Sequence, residues 1–315
     1  MLFLKQFFYN FLLDPSVGRC LICFSTSPTK EVSLQNDAEP ISPIKHRVIP
    51  FSICDNCGYC SAPVNKSTIK YNPKKPPKTT RIGDGMTPGR EYFMTIEALR
   101  ILNRSRVSIG IFGAGKSRDH ELIRALPGVT RCSVMDLRNH QNSPHYLPIN
   151  TKGAFDIVIA CEVVEHFMNP RREFSNLFKK VQKNGLLIVS TSLRIEDNFE
   201  KYIYPFLYGH TSYYTGRSLM FLAAMNRMFI DFRTPSIGIR QRSAKRYIYL
   251  TPSRLIRDRV VASFSRYRFA ASEPATIANI DGTTSSHHSS PKEGMATDSQ
   301  NNNHSPIPTQ EVLTN

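Results

Sequence analysis

The sequence predicts an α/β protein in which a doubly wound parallel sheet follows a small cysteine-rich module. Three observations lead to this fold class. Helix-like and strand-like segments alternate between residues 81 and 253. A glycine-rich turn at residues 113–115 directly follows the first strand-like segment. Two Cys-x-x-Cys pairs lie N-terminal of the alternating segments, in a stretch too short to bury a large core of its own.

The composition supports a folded protein with a basic surface. The chain has 315 residues, 40 % of them hydrophobic, which excludes a wholly disordered protein and a small disulfide scaffold. Its formal net charge is +16. A basic surface favours anionic partners such as phosphorylated metabolites, nucleic acid or anionic lipid, and does not discriminate among them. No apolar run reaches about 18 residues, so we expect no membrane span.

Composition also divides the chain into five segments. Residues 1–19 are an apolar, amphipathic lead, and residues 20–80 are a zinc-binding module that ends in a basic, proline-rich linker. Residues 81–253 carry the alternating helices and strands, and residues 254–270 form a basic C-terminal extension. We expect residues 271–315 to be disordered, because they hold few large apolar side chains to offset the entropy of ordering.

Residues 1–13 and the cysteines indicate in which cellular compartment the protein resides. Residues 1–13 have apolar side chains at helical spacing, which predicts a short amphipathic helix packed on the next domain; weak contact with a membrane surface is the alternative. The cysteines number seven, and four of them form Cys-x-x-Cys pairs. This pattern favours a reducing compartment over a disulfide framework, so we expect a cytoplasmic protein.

Within residues 81–253 the apolar pattern alternates between helical and strand periods. A helix over residues 88–103 precedes a strand over 107–112 and the glycine-rich turn. A strand over 155–160 is almost entirely apolar, as a central parallel strand should be. The other predicted elements are helices over 119–126, 170–181 and 218–228 and strands over 132–135, 185–190, 229–232 and 246–250.

The cysteine pairs predict a structural zinc site. A Cys-x-x-Cys turn brings two thiolates to one tetrahedral ion, and two such turns close the coordination sphere, which leaves no position for water or substrate. Cys60 has the same spacing from Cys57 and is an alternative to Cys54, and His46 is a weaker competitor. Buried or redox-active cysteines are the other interpretation. The predicted ligands are Cys20, Cys23, Cys54 and Cys57.

The glycine-rich turn admits two interpretations. The segment from Gly110 to Ser117 fits GxxxxGK[ST], the pattern of a phosphate-binding P-loop, which predicts a nucleotide hydrolase. The apolar run continues through Phe112, however, so the strand should end there and the turn should begin at Gly113. The turn then belongs to a nucleoside-cofactor site. Asp136 supports this interpretation, because a carboxylate at the end of the second strand can accept hydrogen bonds from ribose hydroxyls.

Three further segments carry a resemblance to a known family. Residues 155–166 hold an apolar strand that ends in Cys-Glu-Val-Val-Glu-His, Asn169 and Pro170 lead a helix, and residues 183–191 place a glycine before the next strand. Together they resemble the class I S-adenosylmethionine-dependent methyltransferases over residues 81–250. With the cysteine module, the chain is similar to the subgroup that has an N-terminal zinc-binding module and includes sugar C-methyltransferases.

The resemblance implies a Rossmann-like methyltransferase fold with S-adenosylmethionine as the cofactor. The glycines of the turn would line its methionine part, the carboxylate after the second strand would hold its ribose, and the residues that end the third strand would lie beside it. The residues concerned are Gly113, Gly115, Asp136, Cys161 and Glu162. The chain departs from the family at Ile111, where an acidic residue is usual, and at Ser117, where a third glycine is common.

The acceptor site is predicted in residues 193–217. This connection is longer than most and follows the carboxyl end of a strand, where ligands bind in such sheets. His210 is the candidate general base, since its unperturbed pKa lies near neutrality, and His166 is the rival. The side chains that could stack on a sugar or a planar acceptor are Tyr202, Tyr204, Tyr208, Tyr213 and Tyr214.

The sequence therefore predicts a methyltransferase that acts on a small-molecule or sugar-like acceptor, and the basic surface is consistent with a nucleotide-linked one. Two other functions compete. The P-loop interpretation predicts nucleotide hydrolysis. The basic side chains between residues 240 and 268 allow a zinc-ribbon protein that binds nucleic acid and carries an inactive methyltransferase fold.

Overall fold

Two β-sheets organise the part of the chain that the structure describes. The structure is a computed structural model, and it describes residues 18–33, 48–62, 82–194, 204–206, 209–234 and 245–265. All of these residues belong to one of the two units into which the chain divides, residues 1–271. The predicted lead helix, the proline-rich linker, His46 and the predicted disordered tail lie outside the described residues.

Eleven strands and five α-helices are found within these ranges. The strands are β1 (Thr29–Ser33), β2 (Val48–Ile53), β3 (Cys60–Ser61), β4 (Val107–Phe112), β5 (Val129–Asp136), β6 (Tyr146–Pro148), β7 (Phe155–Cys161), β8 (Val181–Ser192), β9 (Ser212–Tyr213), β10 (Phe229–Arg233) and β11 (Lys245–Thr251). The helices are α1 (Arg90–Leu102), α2 (Asp119–Arg124), α3 (Pro170–Phe178), α4 (Gly216–Met225) and α5 (Arg254–Ser265). Short 3₁₀ turns occupy Val164–His166 and Tyr204–Phe206.

The larger sheet confirms the predicted doubly wound fold. Its seven strands lie in the order β10-β11-β8-β7-β4-β5-β6. Strands β4 to β8 run parallel to one another, whereas β11 is antiparallel to both β8 and β10. The chain runs outward from β4 to β6 and then returns to β7 on the other side of β4. This reversal places a topological switch point at the carboxyl ends of β4 and β7, where ligands bind in such sheets.

Helices cover both faces of the larger sheet, as side-chain alternation along a buried strand requires. In β8, Leu186 and Ile188 pack in a cluster with apolar side chains of α1 and α5. The intervening residues, Leu187 and Val189, pack in the opposite cluster with side chains of α3 and α4. The two apolar layers cover the two faces of the sheet and leave its carboxyl edge open.

Three elements differ from the predicted ones. Helix α3 ends at Phe178 instead of residue 181, because Val181 already begins β8. Helix α4 starts and ends earlier than predicted, since the Thr215 side chain caps its first turn and Arg227, with a φ of 57°, stops it. Strand β6 was missed because it is a short, half-exposed edge strand that includes Pro148 and shows no apolar alternation. The other predicted elements agree in type and differ only at their ends, whereas strands β1, β2, β3 and β9 and helix α5 were not predicted.

The smaller sheet joins the cysteine module to a distant part of the chain. Its strands lie in the order β1-β2-β3-β9, all antiparallel. Strand β9 comes from the long connection after β8, and Tyr213 pairs with Cys60. The Tyr59 hydroxyl lies 2.6 Å from the Ser212 hydroxyl. Thus the sheet of the cysteine module is completed by the segment in which the sequence predicted the acceptor site.

Residues 254–265 of the predicted basic extension form helix α5. Its Ile256 and Val260 are buried, and the Arg259 guanidinium donates a hydrogen bond of 2.6 Å to the Leu102 carbonyl at the end of α1. Arg257 pairs with the neighbouring Asp258 at 2.7 Å. These contacts make α5 a covering helix of the larger sheet. Within the described ranges, no helix is long and apolar enough to cross a membrane.

Candidate active site

A cleft of about 360 Å³ opens at the carboxyl ends of β4, β5 and β7. All five sequence-predicted cofactor residues line this cleft, and so does His166, the rival candidate base. The lining residues are Ile82, Arg90, Glu91, Gly113, Ala114, Gly115, Lys116, Ser117, Asp136, His140, Cys161, Glu162, Val163 and His166. Burial raises the pKa of the Cys161 thiol, so this side chain lines the cleft as a neutral group.

The glycine-rich turn begins at Gly113, as the continuing apolar run predicted. Gly110 lies inside β4, where a Cβ would come within 2.8 Å of the Phe155 ring, so this glycine serves packing of the strand. Gly113 has a φ of +70°, and a Cβ there would lie 2.7 Å from a methyl group of Val163. Gly115 has a φ of +57° and open space on its Cβ side. The segment that fits the P-loop pattern therefore begins inside β4 and ends in the turn, so it does not form a single loop.

Asp136 fixes the turn from the end of β5. One carboxylate oxygen accepts a hydrogen bond of 2.9 Å from the Gly115 amide, and the other accepts one of 2.6 Å from the Leu137 amide. The Gln141 side chain donates to the carbonyls of Gly115 and Ser117 from the other side. The turn is thus held by side chains on both flanks, which preorganises its open face.

The sequence analysis missed two charged residues of the cleft, Arg90 and Glu91, in the first turn of α1. The Glu91 carboxylate is buried and accepts a hydrogen bond of 3.1 Å from the Ser117 hydroxyl. Burial, together with the neighbouring Asp119, raises its pKa to about 8. Arg90 lies 3.8 Å from a carboxylate oxygen of Glu162. No motif marks these residues, because they precede the first strand and are brought to the cleft by the packing of a helix.

Glu162 occupies a strained position at the end of β7. Its φ of 54° lies in the left-handed region, which costs free energy for a residue with a side chain. The Ser190 hydroxyl donates a hydrogen bond of 2.8 Å to its carboxylate, and its amide donates one of 3.0 Å to the Ser190 carbonyl. Two contacts with one residue of β8 therefore hold this side chain at the cleft.

The two predicted histidines lie side by side, although the sequence separates them by more than forty residues. The ring centroids of His166 and His210 are 4.9 Å apart. The Nδ1 atom of His166 lies 2.9 Å from the Gly209 carbonyl oxygen, and that of His210 lies 2.9 Å from the Tyr204 carbonyl oxygen. Since a carbonyl only accepts, Nδ1 carries the proton in each neutral ring and Nε2 carries the lone pair.

The tyrosines of the long connection divide into two groups. Tyr204 packs against His210, with ring centroids 4.5 Å apart. Tyr214 is buried in the apolar cluster beneath α3 and α4, and Tyr213 is buried in the apolar cluster of the smaller sheet. Both therefore pack the core and do not offer stacking surface to an acceptor. The Tyr214 hydroxyl donates to the Val164 carbonyl, which supports the turn that carries His166. Tyr202 and Tyr208 lie outside the described residues.

The comparison with protein families settles the class of protein. A family model for a methyltransferase domain matches residues 54–224, more than half of the chain. The chain belongs to this methyltransferase family. It is therefore an enzyme that transfers a methyl group to an acceptor. No curated protein matches the chain.

Several solved structures resemble this methyltransferase at low identity. A chain of the complex between the Haloferax volcanii Trm112 methyltransferase activator and a methyltransferase is 10 % identical, with 52 % of this chain and 90 % of that chain covered and a TM-score of 0.40. An S-adenosylmethionine-dependent methyltransferase from Clostridium acetobutylicum is 11 % identical, with 51 % and 89 % covered and a TM-score of 0.38. An O-methyltransferase family protein from Burkholderia thailandensis is 14 % identical, with 51 % and 55 % covered and a TM-score of 0.39.

The cleft of this methyltransferase fits S-adenosylmethionine, the methyl donor expected from the sequence. The open side of Gly115 leaves room for a ligand to approach the backbone. The Asp136 carboxylate stands at the end of β5, where ribose is bound in nucleoside sites. Arg90 supplies a positive charge, and its Nε is buried without a hydrogen-bond partner among the described residues. The cleft thus offers a glycine turn, a carboxylate and a cation to the donor.

A second group of functional side chains lies in the cysteine module of the methyltransferase. The Sγ atoms of Cys20, Cys23, Cys54 and Cys57 all lie within 4.8 Å of one another. The Cys20 and Cys57 sulfurs are 3.5 Å apart, and those of Cys23 and Cys54 are 3.4 Å apart. A tetrahedral zinc site with Zn–S bonds of about 2.3 Å has S···S edges of about 3.8 Å. Cys60 is buried on β3 and is not a member of this group.

The two Cys-x-x-Cys turns have the same backbone geometry. The Phe24 amide donates to the Cys20 carbonyl at 3.1 Å, and the Gly58 amide donates to the Cys54 carbonyl at 2.9 Å. The φ angles of Phe24 and Gly58 are 62° and 70°, so Phe24 takes a left-handed conformation that glycine takes without strain. A hydrogen bond from the Cys57 thiol lowers the pKa of Cys20 to about 5. The same hydrogen bond raises the pKa of Cys57, so this pair holds one thiolate, the form that binds metal, and one thiol.

We expect Glu91 to make the stability of the methyltransferase fall as the pH rises. Its pKa is about 4.5 when unfolded and about 8 when folded. Between these values the folded state keeps a proton that the unfolded state has released, so stability is lost as the pH rises through this window. Relative to Glu91→Gln, the wild type should lose roughly 2–4 kcal/mol of unfolding free energy between about pH 5 and pH 9.

Denaturant unfolding of both proteins at several pH values measures this difference. Glu121→Gln, on the exposed side of α2, is the matched control, because its carboxylate pairs with Arg118 at the surface. A free-energy difference between the wild type and Glu91→Gln that stays constant with pH would show that Glu91 is ionised in the folded protein.

Proposed function

We propose that the chain transfers a methyl group from S-adenosylmethionine to a small-molecule or sugar-like acceptor. One observation carries this proposal: the cleft that fits the methyl donor is bordered by His166, whose ring contacts His210. A donor site and a pair of proton-accepting side chains therefore share one edge of the sheet. The net charge of +16 supports an anionic acceptor, such as a nucleotide-linked one.

We assign the donor site to residues from four elements. Gly113 and Gly115 take the methionine part, and Asp136 accepts hydrogen bonds from the ribose hydroxyls. Cys161 and Glu162 lie beside the donor. When bound, S-adenosylmethionine supplies an electrophilic methyl group on a sulfonium. The protein then has to hold the acceptor atom in line with that methyl group, exclude water and take up a proton.

We assign activation of the acceptor to His210 and His166. Both imidazoles are anchored through Nδ1 to backbone carbonyls, so both present Nε2 as the acceptor atom. Gly209 makes this arrangement feasible, because its φ of +77° turns the chain and a Cβ would lie 3.2 Å from the His166 ring. The ring of Tyr204 supports His210 from the side and offers an apolar surface with a polar tip.

We further propose that Cys20, Cys23, Cys54 and Cys57 hold a structural zinc ion. The second cysteine turn is bound to the acceptor segment: the Arg194 guanidinium donates to the Gly58 carbonyl at 2.8 Å, and the Thr215 hydroxyl donates to the Cys57 carbonyl at 2.6 Å. Such a site would fix both ends of the connection that carries His210. It supports membership of the subgroup with an N-terminal zinc-binding module, which includes sugar C-methyltransferases.

The proposed domain limits are those that the composition predicts. We propose a zinc-binding module and linker over residues 20–80 and a catalytic domain over residues 81–253, with β9 of the catalytic domain completing the sheet of the module. The clustering of four cysteines in a candidate metal site supports a reducing compartment such as the cytoplasm.

Calorimetry with S-adenosylmethionine tests the donor site. Asp136→Ala should weaken binding by about 1–3 kcal/mol, since ribose hydroxyls lose a charged acceptor. Asp156→Ala is the control, because this carboxylate pairs with Arg104 at the opposite end of the sheet; its affinity for the donor should equal that of the wild type. Equal affinity in a folded Asp136→Ala protein would contradict the ribose assignment. Absence of binding to the wild type would contradict the proposed function.

A screen of nucleotide sugars and related hydroxylated metabolites with radiolabelled donor tests the acceptor site. On the acceptor found, His210→Ala should keep donor affinity and lose methyl transfer by about 10²-fold or more. His145→Ala, remote from the cleft, should keep wild-type turnover. If His210→Ala turns over within a few-fold of the wild type, His210 only supports the connection, and His166 becomes the residue to test.

Metal analysis tests the cysteine cluster. We expect about one zinc ion per chain, and Cys54→Ser should lose it because three thiolates leave the tetrahedral site open. Cys60→Ser should retain the metal, since Cys60 lies outside the group of four sulfurs. The opposite result for these two variants would show that Cys60, and not Cys54, is the ligand.

A further inference from the structure

We propose that Glu165, His166 and His210 form a binding site for a divalent transition-metal ion at the border of the donor cleft. One ligand atom of each residue lies within 4.8 Å of the other two. Two imidazoles and one carboxylate suit Mn²⁺, Fe²⁺, Co²⁺ or Zn²⁺, and three protein ligands on one side leave other coordination positions open. This site is distinct in residues and chemistry from the cysteine cluster.

Both histidines have one ring nitrogen anchored to the backbone, as metal-ligating histidines usually do. A ligating histidine usually donates its second N–H to a backbone carbonyl or a carboxylate, which fixes the ring and directs the other nitrogen to the ion. His166 and His210 each have Nδ1 at 2.9 Å from a backbone carbonyl oxygen. Their rings are nearly perpendicular, at 81°. Two rings fixed independently by the carbonyls of Tyr204 and Gly209 form a preorganised pair.

The Glu165 carboxylate gives a second, independent reason to place a cation at this site. Its side chain is 1 % exposed. One carboxylate oxygen accepts a hydrogen bond of 3.2 Å from the Thr191 hydroxyl, whereas the other is buried and has no hydrogen-bond partner in the part of the chain that the structure describes. A buried carboxylate oxygen without a donor is costly. A cation held jointly with the two imidazoles would satisfy it.

The backbone keeps the three ligands together without the ion. Glu165 and His166 lie on the 3₁₀ turn Val164–His166 that follows β7. The Thr211 amide donates a hydrogen bond of 2.8 Å to the Glu165 carbonyl, which ties the residue after His210 to this turn. The buried Tyr214 hydroxyl donates a hydrogen bond to the Val164 carbonyl of the same turn. The site is therefore built on two turns that are bonded to each other.

The ion would serve the proposed function, on which this step rests, by binding an oxygen of the acceptor. His166 and His210 would then activate the acceptor as ligands of the ion and not as the proton acceptors themselves. A bound hydroxyl has a lowered pKa and releases its proton to water. The oxygen lone pair then forms the new C–O bond to the methyl group, and the electron pair of the breaking S–CH₃ bond stays on sulfur, which leaves neutral S-adenosylhomocysteine. Open coordination positions favour acceptors with two adjacent oxygens, such as the vicinal hydroxyls of a sugar.

Equilibrium dialysis of the untagged full-length chain against Co²⁺ tests the site. The cysteine cluster is first loaded with one equivalent of zinc per chain, which four thiolates bind in preference to two imidazoles and a carboxylate, and unbound zinc is removed. Co²⁺ that displaces zinc from the cluster would show as thiolate charge-transfer absorption. We expect about one Co²⁺ per chain without that absorption. Glu165→Gln, which keeps the shape and the contact with Thr191, and His210→Ala should each weaken Co²⁺ binding by at least about 10-fold.

Glu173→Gln is the matched control, because this half-buried carboxylate of α3 caps its own helix by accepting a hydrogen bond from the Asn169 amide. It should bind Co²⁺ as the wild type does. Wild-type protein that binds no Co²⁺ beyond the zinc-loaded cluster, or ligand variants with unchanged affinity, would overturn the proposal.

Calorimetry with S-adenosylmethionine on the same samples separates the two proposals. Donor binding without Co²⁺ binding overturns the metal site alone. Co²⁺ binding without donor binding supports the metal site and overturns the proposed function.

Discussion

The close approach of Gly113 to Val163 is the constraint on which the carboxyl edge of the sheet depends. A methyl group at residue 113 would lie 2.7 Å from the Val163 side chain, so the loops after β4 and β7 interlock only if the first of them begins with glycine. Glu162, the residue before Val163, takes a left-handed φ of 54°, and it lines the donor cleft together with Gly113 and His166.

A second constraint is electrostatic. The wall of the cleft concentrates Arg90, Glu91 and Glu162 in a region shielded from water, and Glu165 lies next to them. Burying charged groups costs free energy unless partners compensate, and replacing such groups by apolar ones often stabilises a protein. Their contacts are incomplete within the described residues: Arg90 Nε and one oxygen of Glu165 lack partners. These atoms without partners indicate that the charged groups of the wall are arranged to interact with a ligand as well as with one another.

Much of the fold could be predicted from the sequence, because parallel strands such as β7 are continuous apolar runs and the donor turn is marked by glycines. The cofactor residues follow from their positions at strand ends. Arg90, Glu91 and Glu165 could not be found in this way, since their roles depend on helix packing and on which side of a single 3₁₀ turn faces the cleft. Tyr213 and Tyr214 were misjudged for a related reason: an alternation of aromatic residues in a long connection does not reveal that part of it is a strand of a second sheet.

The pairing of β9 with β3, which lies far from it in the chain, affects the order in which parts of the protein fold. Tyr59 and Ser212 are 153 residues apart in the chain and hydrogen-bonded in the structure. A pairing of such high contact order is slow to form, because a long loop must close before its contacts compensate for the lost entropy. During synthesis the cysteine turns leave the ribosome before the larger sheet, yet their own sheet lacks its fourth strand until most of the larger sheet has emerged. The N-terminal module is therefore among the last parts of the protein to mature.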